Sequence, residues 1–427
     1  MNFKRLKIAD RFSQYKDSKE TKQLLGNFSW LMVLQIASYL FPLITMPYLA
    51  RVIGVDGFGK IAFAAAVMVW INTFAEWGFN LTATRDLARN RNNPQVVNEI
   101  FSNVQYARLF MAAISFVVLF LLILIVPKLR SEALILFYTF LMVPGNILFP
   151  EWFFQGMERM KYTTLFNITI KLVFTLAIFI FIRDKEDYIL QPLLNSFGFL
   201  FSGAVAQWII IKRWGVRLIK PKWKNIWTTI KGSTDVFLNN LMPNLYNSFS
   251  TVLLGLLGTP SSNGLLDAGR RFVLVGQNLM STLSRVFFPF LSRRIDKHRV
   301  YAMISILTAS LLVLGLEVCA PLLMRWFFTQ EFYPAVWVLR IMSLGIIFIT
   351  VNHVYGLGYL IVEGYERKLR NTTAICSIIG FCTAFPLIYL FDWRGAAINI
   401  TFSQFILGTG VYLQAKKIKM GKSKKNN

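Results

Sequence analysis

Apolar runs of about 20 residues, each closed by a charged or turn-forming cluster, succeed one another along almost the whole chain, and a helix of about 20 apolar residues crosses a hydrocarbon core about 30 Å thick. Twelve such runs begin near residues 27, 60, 101, 133, 162, 188, 233, 264, 300, 335, 370 and 395. They predict an all-α polytopic membrane protein with twelve transmembrane helices. The longest internal connection, "KRWGVRLIKPKWKNIWTTIK" at 212–231, follows the sixth run. It divides the chain into two six-helix lobes, 27–211 and 232–414, set between an N-terminal segment, 1–26, and a basic tail, 415–427. A weak repeat supports the division: "RVIGVDGFGKIAFA" resembles "GLLGTPSSNGLLDA", with Gly54 matching Gly258 and Gly59 matching Gly264. Equivalent loops then share orientation, so the lobes are expected to be related by a pseudo-two-fold axis along the membrane normal.

Several runs contain residues that lipid excludes. In "LLDAGRRFVLVGQNLMSTLSRVF", residues 265–287, a turn of about 100° per residue places Arg270, Gln277, Ser281 and Ser284 on one side, with Arg271, Asn278, Thr282 and Arg285 adjoining. Arginines near the ends of a span can snorkel to the headgroups, but a polar stripe through the middle faces water or protein. The seventh run gathers Asp235, Asn239, Pro243, Tyr246 and Ser250 in one sector. Pro243, like Pro42 in the first run, removes a backbone hydrogen bond, leaving either a break beside a polar pathway or a packing kink. Lys171 lies at the centre of the fifth run, where snorkelling has least reach. Glu76, Arg108, Glu317 and Arg340 are further intramembrane charges, each available to pair with another helix or to contact cargo. His353 reads as a packed span residue, with proton transfer as the alternative. The cations outnumber the carboxylates, so the expected cargo is anionic. Arginine forks suit a phosphate or diphosphate, and the amides and hydroxyls suit a sugar.

Composition agrees with a membrane protein: 55% of residues are hydrophobic, 16% are charged and the mean hydropathy is +0.50. The net charge of +25 does not indicate nucleic acid, because the basic residues alternate with the runs instead of forming one patch. With both termini cytoplasmic, the inside segments carry 32 Lys and Arg and the outside loops 7, as the positive-inside rule requires. Residues 1–26 lack the apolar core of a signal peptide and are expected to form a cytoplasmic surface helix. The linker 212–231 either sets topology or lies on the anionic leaflet. Cys319, Cys376 and Cys382 form neither a disulfide framework nor a metal spacing. The sequence has no Walker motif, so no cofactor is expected. Coupling to H+ or Na+ through Glu76 or Asp235 is open, since either carboxylate could instead neutralise an arginine.

Three stretches carry a family resemblance: "PYLARVIGVDGFGKIAFA" at 47–64, "EWGFNLTATRDLA" at 76–88 and "PEWFFQGMERMKY" at 150–162. Together they resemble the Wzx-type O-antigen and polysaccharide flippases of the multidrug/oligosaccharidyl-lipid/polysaccharide exporter superfamily. The resemblance implies a translocator of the cell inner membrane that moves undecaprenyl-diphosphate-linked oligosaccharide repeat units by alternating access, beside membrane lipids, a polysaccharide polymerase and a chain-length regulator. The matched residues Gly54, Gly57, Gly59, Gly78, Asn80, Arg85, Pro150, Trp152, Gln155 and Gly156 read mainly as architecture, with Gly57 and Gly59 permitting a sharp external turn. Unlike the lipid II flippases, the first run has no lysine or arginine inside the bilayer. Substrate binding therefore falls on Arg270, Arg271 and Lys171, with Arg108, Arg285, Gln277 and Asn278. One of the paired arginines is expected on the cargo and the other on Asp267 or the headgroups. Glu76, Asp235, Asp267 and Glu317 are the candidates for ion coupling or charge pairing. A multidrug extruder would be expected to present carboxylates to cationic cargo. A polymerase or lipid-linked glycosyltransferase would need larger outside loops than these, and "RDKEDY" at 183–188 reads as a solvated turn.

Overall fold

The computed structural model describes residues 19–425, and every regular element among them is helical. The surface helix expected within 1–26 falls largely outside the described residues. The first two apolar runs form one helix, α1 (Lys19–Glu76), bent where Gly54 takes φ 65° and ψ −175°. That left-handed φ suits a residue without Cβ. The sharp turn expected at Gly57 and Gly59 therefore lies at Gly54, and both later glycines are helical. α2 (Phe79–Asn90) follows, and then α3 (Pro94–Ile125). The Asn93 side chain accepts from the Gln95 and Val96 amides, and Pro94 occupies the first turn of α3, where its missing N–H removes no helical bond.

The fourth run is broken into α4 (Ala133–Phe140), α5 (Met142–Leu148) and α6 (Glu151–Gly156). α7 (Met160–Phe181) and α8 (Leu190–Trp208) complete the N-terminal half. The C-terminal half consists of α9 (Trp223–Asn244), α10 (Ser248–Leu257), α11 (Pro260–Arg293), α12 (His298–Phe327), α13 (Ala335–Asn352) and α14 (Glu366–Lys425). A π-helical segment, His353–Ile361, extends α13. α14 contains a non-helical residue, Asp392, at φ 49° and ψ −130°.

Among the described residues, eight helical stretches are long and apolar enough to cross a membrane. Two of them, of 62 and 55 residues, contain the interruptions at Gly54 and Asp392. α9 and α11 are not among the eight, because their polar stripes lower their hydropathy. The break expected near Pro243 occurs just after it, between Asn244 and Ser248, whereas α1 runs through Pro42 without one.

Packing joins the two halves at several places, two of which frame the site. In the first, Gly59 and Gly264 bring helix backbones together: a Cβ on Gly59 would lie 1.7 Å from the Pro260 carbonyl oxygen, and one on Gly264 would lie 2.3 Å from that of Val55. Ser261 donates to Asp56 beside them. A buried cluster that includes Met46, Leu49, Phe58, Ala268, Phe272, Phe332 and Leu339 continues this contact. In the second, Trp77 stacks on Phe237 with centroids 3.9 Å apart, Thr82 and Ser233 share a 2.7 Å hydrogen bond, and Asn244 donates to Thr73 at 2.9 Å. The outward faces stay apolar. Val117, Leu121 and Ile125 of α3 are exposed, as lipid contact requires.

Candidate substrate cavity

A cavity of about 230 Å³ lies where α1, α7, α8 and α11 meet. Its polar lining is Ser38 and Thr45 from α1, Lys171 and Thr175 from α7, Gln191 and Asn195 from α8, and Arg271 from α11. Lys171 Nζ donates to Ser38 Oγ at 2.5 Å, and Ser38 Oγ donates in turn to the Leu34 carbonyl at 2.7 Å. The absent N–H of Pro42 also frees the Ser38 carbonyl from its helical partner, placing an extra acceptor on this wall. Arg271 is anchored one turn along its own helix: its Nε and Nη2 meet Asp267 Oδ2 at 2.8 and 2.7 Å. Its guanidinium also sits 4.6 Å from the centroid of the Phe58 ring, a cation–π contact reaching across the two halves.

A second cavity of about 300 Å³ between α1 and α11 shares Ser38, Pro42 and Arg271 with the first, and adds Asp267 and Asn278 to an otherwise apolar lining. Arg271 thus stands on the boundary of both. Lys171, Arg271 and Asp267 leave an excess of one positive charge where the halves meet.

The polar stripe of α11 turns in two directions. Arg271 and Asn278 face these cavities, while Arg270 Nη1 donates to Thr251 at 3.4 Å and Gln277 donates to Gln404 at 3.3 Å, both within the C-terminal half. Arg271, not Arg270, takes Asp267, and it lines the cavity as well. Arg285 is exposed and donates to Ser281 at 3.2 Å. Arg108 is buried, donates to the Asn146 carbonyl at 3.1 Å and lies 3.9 Å from Glu76. Asn80 donates to the other Glu76 oxygen at 3.0 Å. Asp235 is exposed on α9 and does not line either cavity. Glu317 pairs with Arg340 at 3.7 Å and accepts from Ser343 at 2.7 Å. His353, half-buried, begins the π segment.

The structure also brings in residues that the sequence reading did not select. Gln191 and Asn195, one turn apart on α8, complete the cavity wall. Glu151, at the start of α6, accepts from Gln155 at 3.1 Å and lies within electrostatic reach of Glu76, Arg108 and Lys171. It therefore links the Arg108 cluster to the cavity lysine. The signal for Gln191 and Asn195 was polar spacing of i, i+4 inside an apolar run, the same signal that marked the eighth run.

This arrangement, a charged cavity among membrane-length helices of two packed halves, is that of a polytopic membrane protein with an internal polar site. Residues 24–295, more than half of the chain, match the profile of the polysaccharide biosynthesis protein family, so the chain belongs to that family, in agreement with its three motifs. It is 28% identical over 392 residues to a protein of Escherichia coli named "Putative O-antigen transporter", covering 90% of this chain and 94% of that one. A protein of Shigella dysenteriae with the same name is 25% identical over 390 residues, covering 89% and 97%. Among solved structures, the lipid II flippase MurJ in an inward closed conformation superposes with a TM-score of 0.70 at 14% identity, covering 90% of this chain and 87% of that one. A MATE protein in its straight conformation gives 0.60 at 12% identity, covering 94% and 97%. These structural likenesses establish the fold.

Proposed function

We propose that the chain flips undecaprenyl-diphosphate-linked oligosaccharide repeat units from the inner to the outer leaflet of the cell inner membrane, for O-antigen or a related surface polysaccharide. The observation that carries this reading is that Lys171 and Arg271, from opposite halves of the chain, line one cavity with amides and hydroxyls around them. Two cations there match a diphosphate, and Gln191, Asn195, Thr45 and Asn278 offer partners to a sugar. The names of the curated relatives point to the same cargo class and to transport without catalysis. Cationic drugs, the cargo of the rival reading, would be repelled by Lys171 and Arg271.

In this reading the chain crosses the membrane twelve times as two six-helix lobes, both termini are cytoplasmic, and the lobes rock about the cavity to expose it to each side in turn. The glycines matched in the internal repeat, Gly59 and Gly264, each lie against the other lobe, which supports a pseudo-two-fold relation. Arg271 and Lys171 hold the diphosphate, and Arg270 and Gln277 form a second row reached as the lobes move. Arg108 and Arg285 tie helices together or meet headgroups. Glu76, within electrostatic reach of Arg108 and Glu151, is the carboxylate we propose for coupling to a proton or a sodium ion. A polymerase and a chain-length regulator act on the flipped product.

The test is complementation of a strain lacking its own copy. Lys171→Ala or Arg271→Ala, at wild-type membrane levels, abolishes surface polymer. Retained polymer would remove that residue from the site.

A further inference from the structure

A separate cavity of about 160 Å³ lies in the C-terminal half, formed by His298 at the start of α12, Tyr355 and Tyr359 on the π segment, and Tyr412, Ala415, Lys416 and Lys419 on α14. It shares no lining residue with the two cavities described above. We propose that it binds a phosphate group, carried either by an acidic phospholipid or by a soluble phosphate.

The chemistry of the lining supports this. His298 is 6% exposed, and its Nε2 lies 3.1 Å from the Val354 carbonyl. A carbonyl can only accept, so Nε2 carries the proton of the neutral imidazole. The rings of Tyr355 and Tyr359 each stand 5.3 Å from the imidazole, and Tyr412 lies 4.9 Å from Tyr355. Lys416 and Lys419, three apart, share one face of α14, and Lys419 is close enough to act electrostatically on His298. No carboxylate is among the described residues that line the cavity. Two lysines therefore line the pocket with no carboxylate beside them among the described lining residues, next to a buried imidazole and the phenolic hydroxyls of Tyr355 and Tyr412, which can donate. An anion with several acceptor oxygens satisfies these donors, and lysine serves phosphate as a point charge.

The backbone has a second unusual feature at the same place. Segments with i→i+5 hydrogen bonds are rare and concentrate at functional sites. Here one of nine residues, His353–Ile361, supplies two of the tyrosines. The basic residues Lys297, Arg299 and Lys417 lie next to the lining residues in sequence, as at the headgroup level of an anionic leaflet.

The purified full chain in phosphatidylcholine nanodiscs provides the test, read as the thermal midpoint in two arms: phosphatidylglycerol added to the lipid, or inorganic phosphate added to the buffer against chloride at equal ionic strength. The wild type is expected to be stabilised in one arm at least. The lipid arm assigns a headgroup and the buffer arm a soluble phosphate. Lys416→Gln with Lys419→Gln weakens that binding by about tenfold or more, the order expected when charge-assisted contacts are lost. Lys416→Arg with Lys419→Arg keeps it, as does Lys222→Gln with Lys224→Gln outside the pocket. Should the double glutamine variant not fold, Tyr355→Phe with Tyr412→Phe removes two donors at nearly constant volume and must also weaken the effect. The proposal is overturned if the wild type responds in neither arm, or if the pocket variants respond as the wild type does.

Discussion

Lys171 is held by one hydroxyl, with no carboxylate of the described residues within ion-pair distance, and it shares its cavity with a guanidinium. A diphosphate entering this site would give both cations a counter-ion. Inorganic diphosphate is therefore expected to raise the thermal midpoint of the wild type, by linkage, and to do so far less for Lys171→Met. Lys171→Arg, which keeps the charge, retains most of the shift. Asp267 tests the opposite sign. Its side chain is 24% exposed and that of Arg271 is 32% exposed, so the pair lies between a surface bridge and a buried one, and Asp267→Asn should destabilise the empty protein by on the order of 1 kcal/mol. The same change raises the net charge of the cavity, so the shift with diphosphate should grow. A smaller shift in differential scanning fluorimetry would mean that Asp267 serves binding by orienting Arg271, not by balancing it.

At the scale of elements, the contact between α1 and α11 rests on two hydrogen side chains. A methyl group at Gly59 would overlap the Pro260 carbonyl, a backbone atom that cannot swing away. Gly59→Leu must separate the helices at that end, and overpacking of this kind costs about 1–3 kcal/mol or more. The expected result is a lower thermal midpoint together with loss of surface polymer, whereas Gly26→Ala, where nothing stands within 4 Å of the added carbon, should leave both unchanged. Eight helical stretches were legible as apolar runs, because burial in lipid demands about 20 residues of uniform character whatever the tertiary fold. The bend was placed a few residues late, since Gly54, Gly57 and Gly59 are chemically alike and only packing separates the one that turns from the one that is approached. A helical projection could show that Arg270 and Arg271 point apart. It could not show which neighbour each would meet, because Thr251 and Phe58 come from other helices. Glu151 was hidden for a related reason: at a span end a carboxylate is ordinary, and its standing beside Arg108 and Lys171 exists only once α3, α6 and α7 are packed.

The two halves meet at the Gly59 and Gly264 contact and at the stack of Trp77 on Phe237, and the cavity residues of α1 lie mostly before its bend at Gly54. Alternating access requires that at least one of the joints open while the other holds, and the proposed orientation puts the glycine joint on the outer side. Asp56 and Ser261, which already meet there, are the natural positions for a cross-link. The native cysteines Cys319, Cys376 and Cys382 are all free, so the pair Asp56→Cys with Ser261→Cys is best built on a background in which they are replaced by serine or alanine. If release to the outer leaflet needs this joint to part, oxidation should stop surface polymer formation, a reductant should restore it, and neither single cysteine should have an effect. Linkage of the repeat unit to its lipid would continue on the inner side, so lipid-linked precursor should accumulate while the cross-link is intact. Full cross-linking with undiminished polymer would show that cargo passes without opening this end, and the rocking of two lobes would have to be abandoned in favour of movement along the groove between α1 and α11.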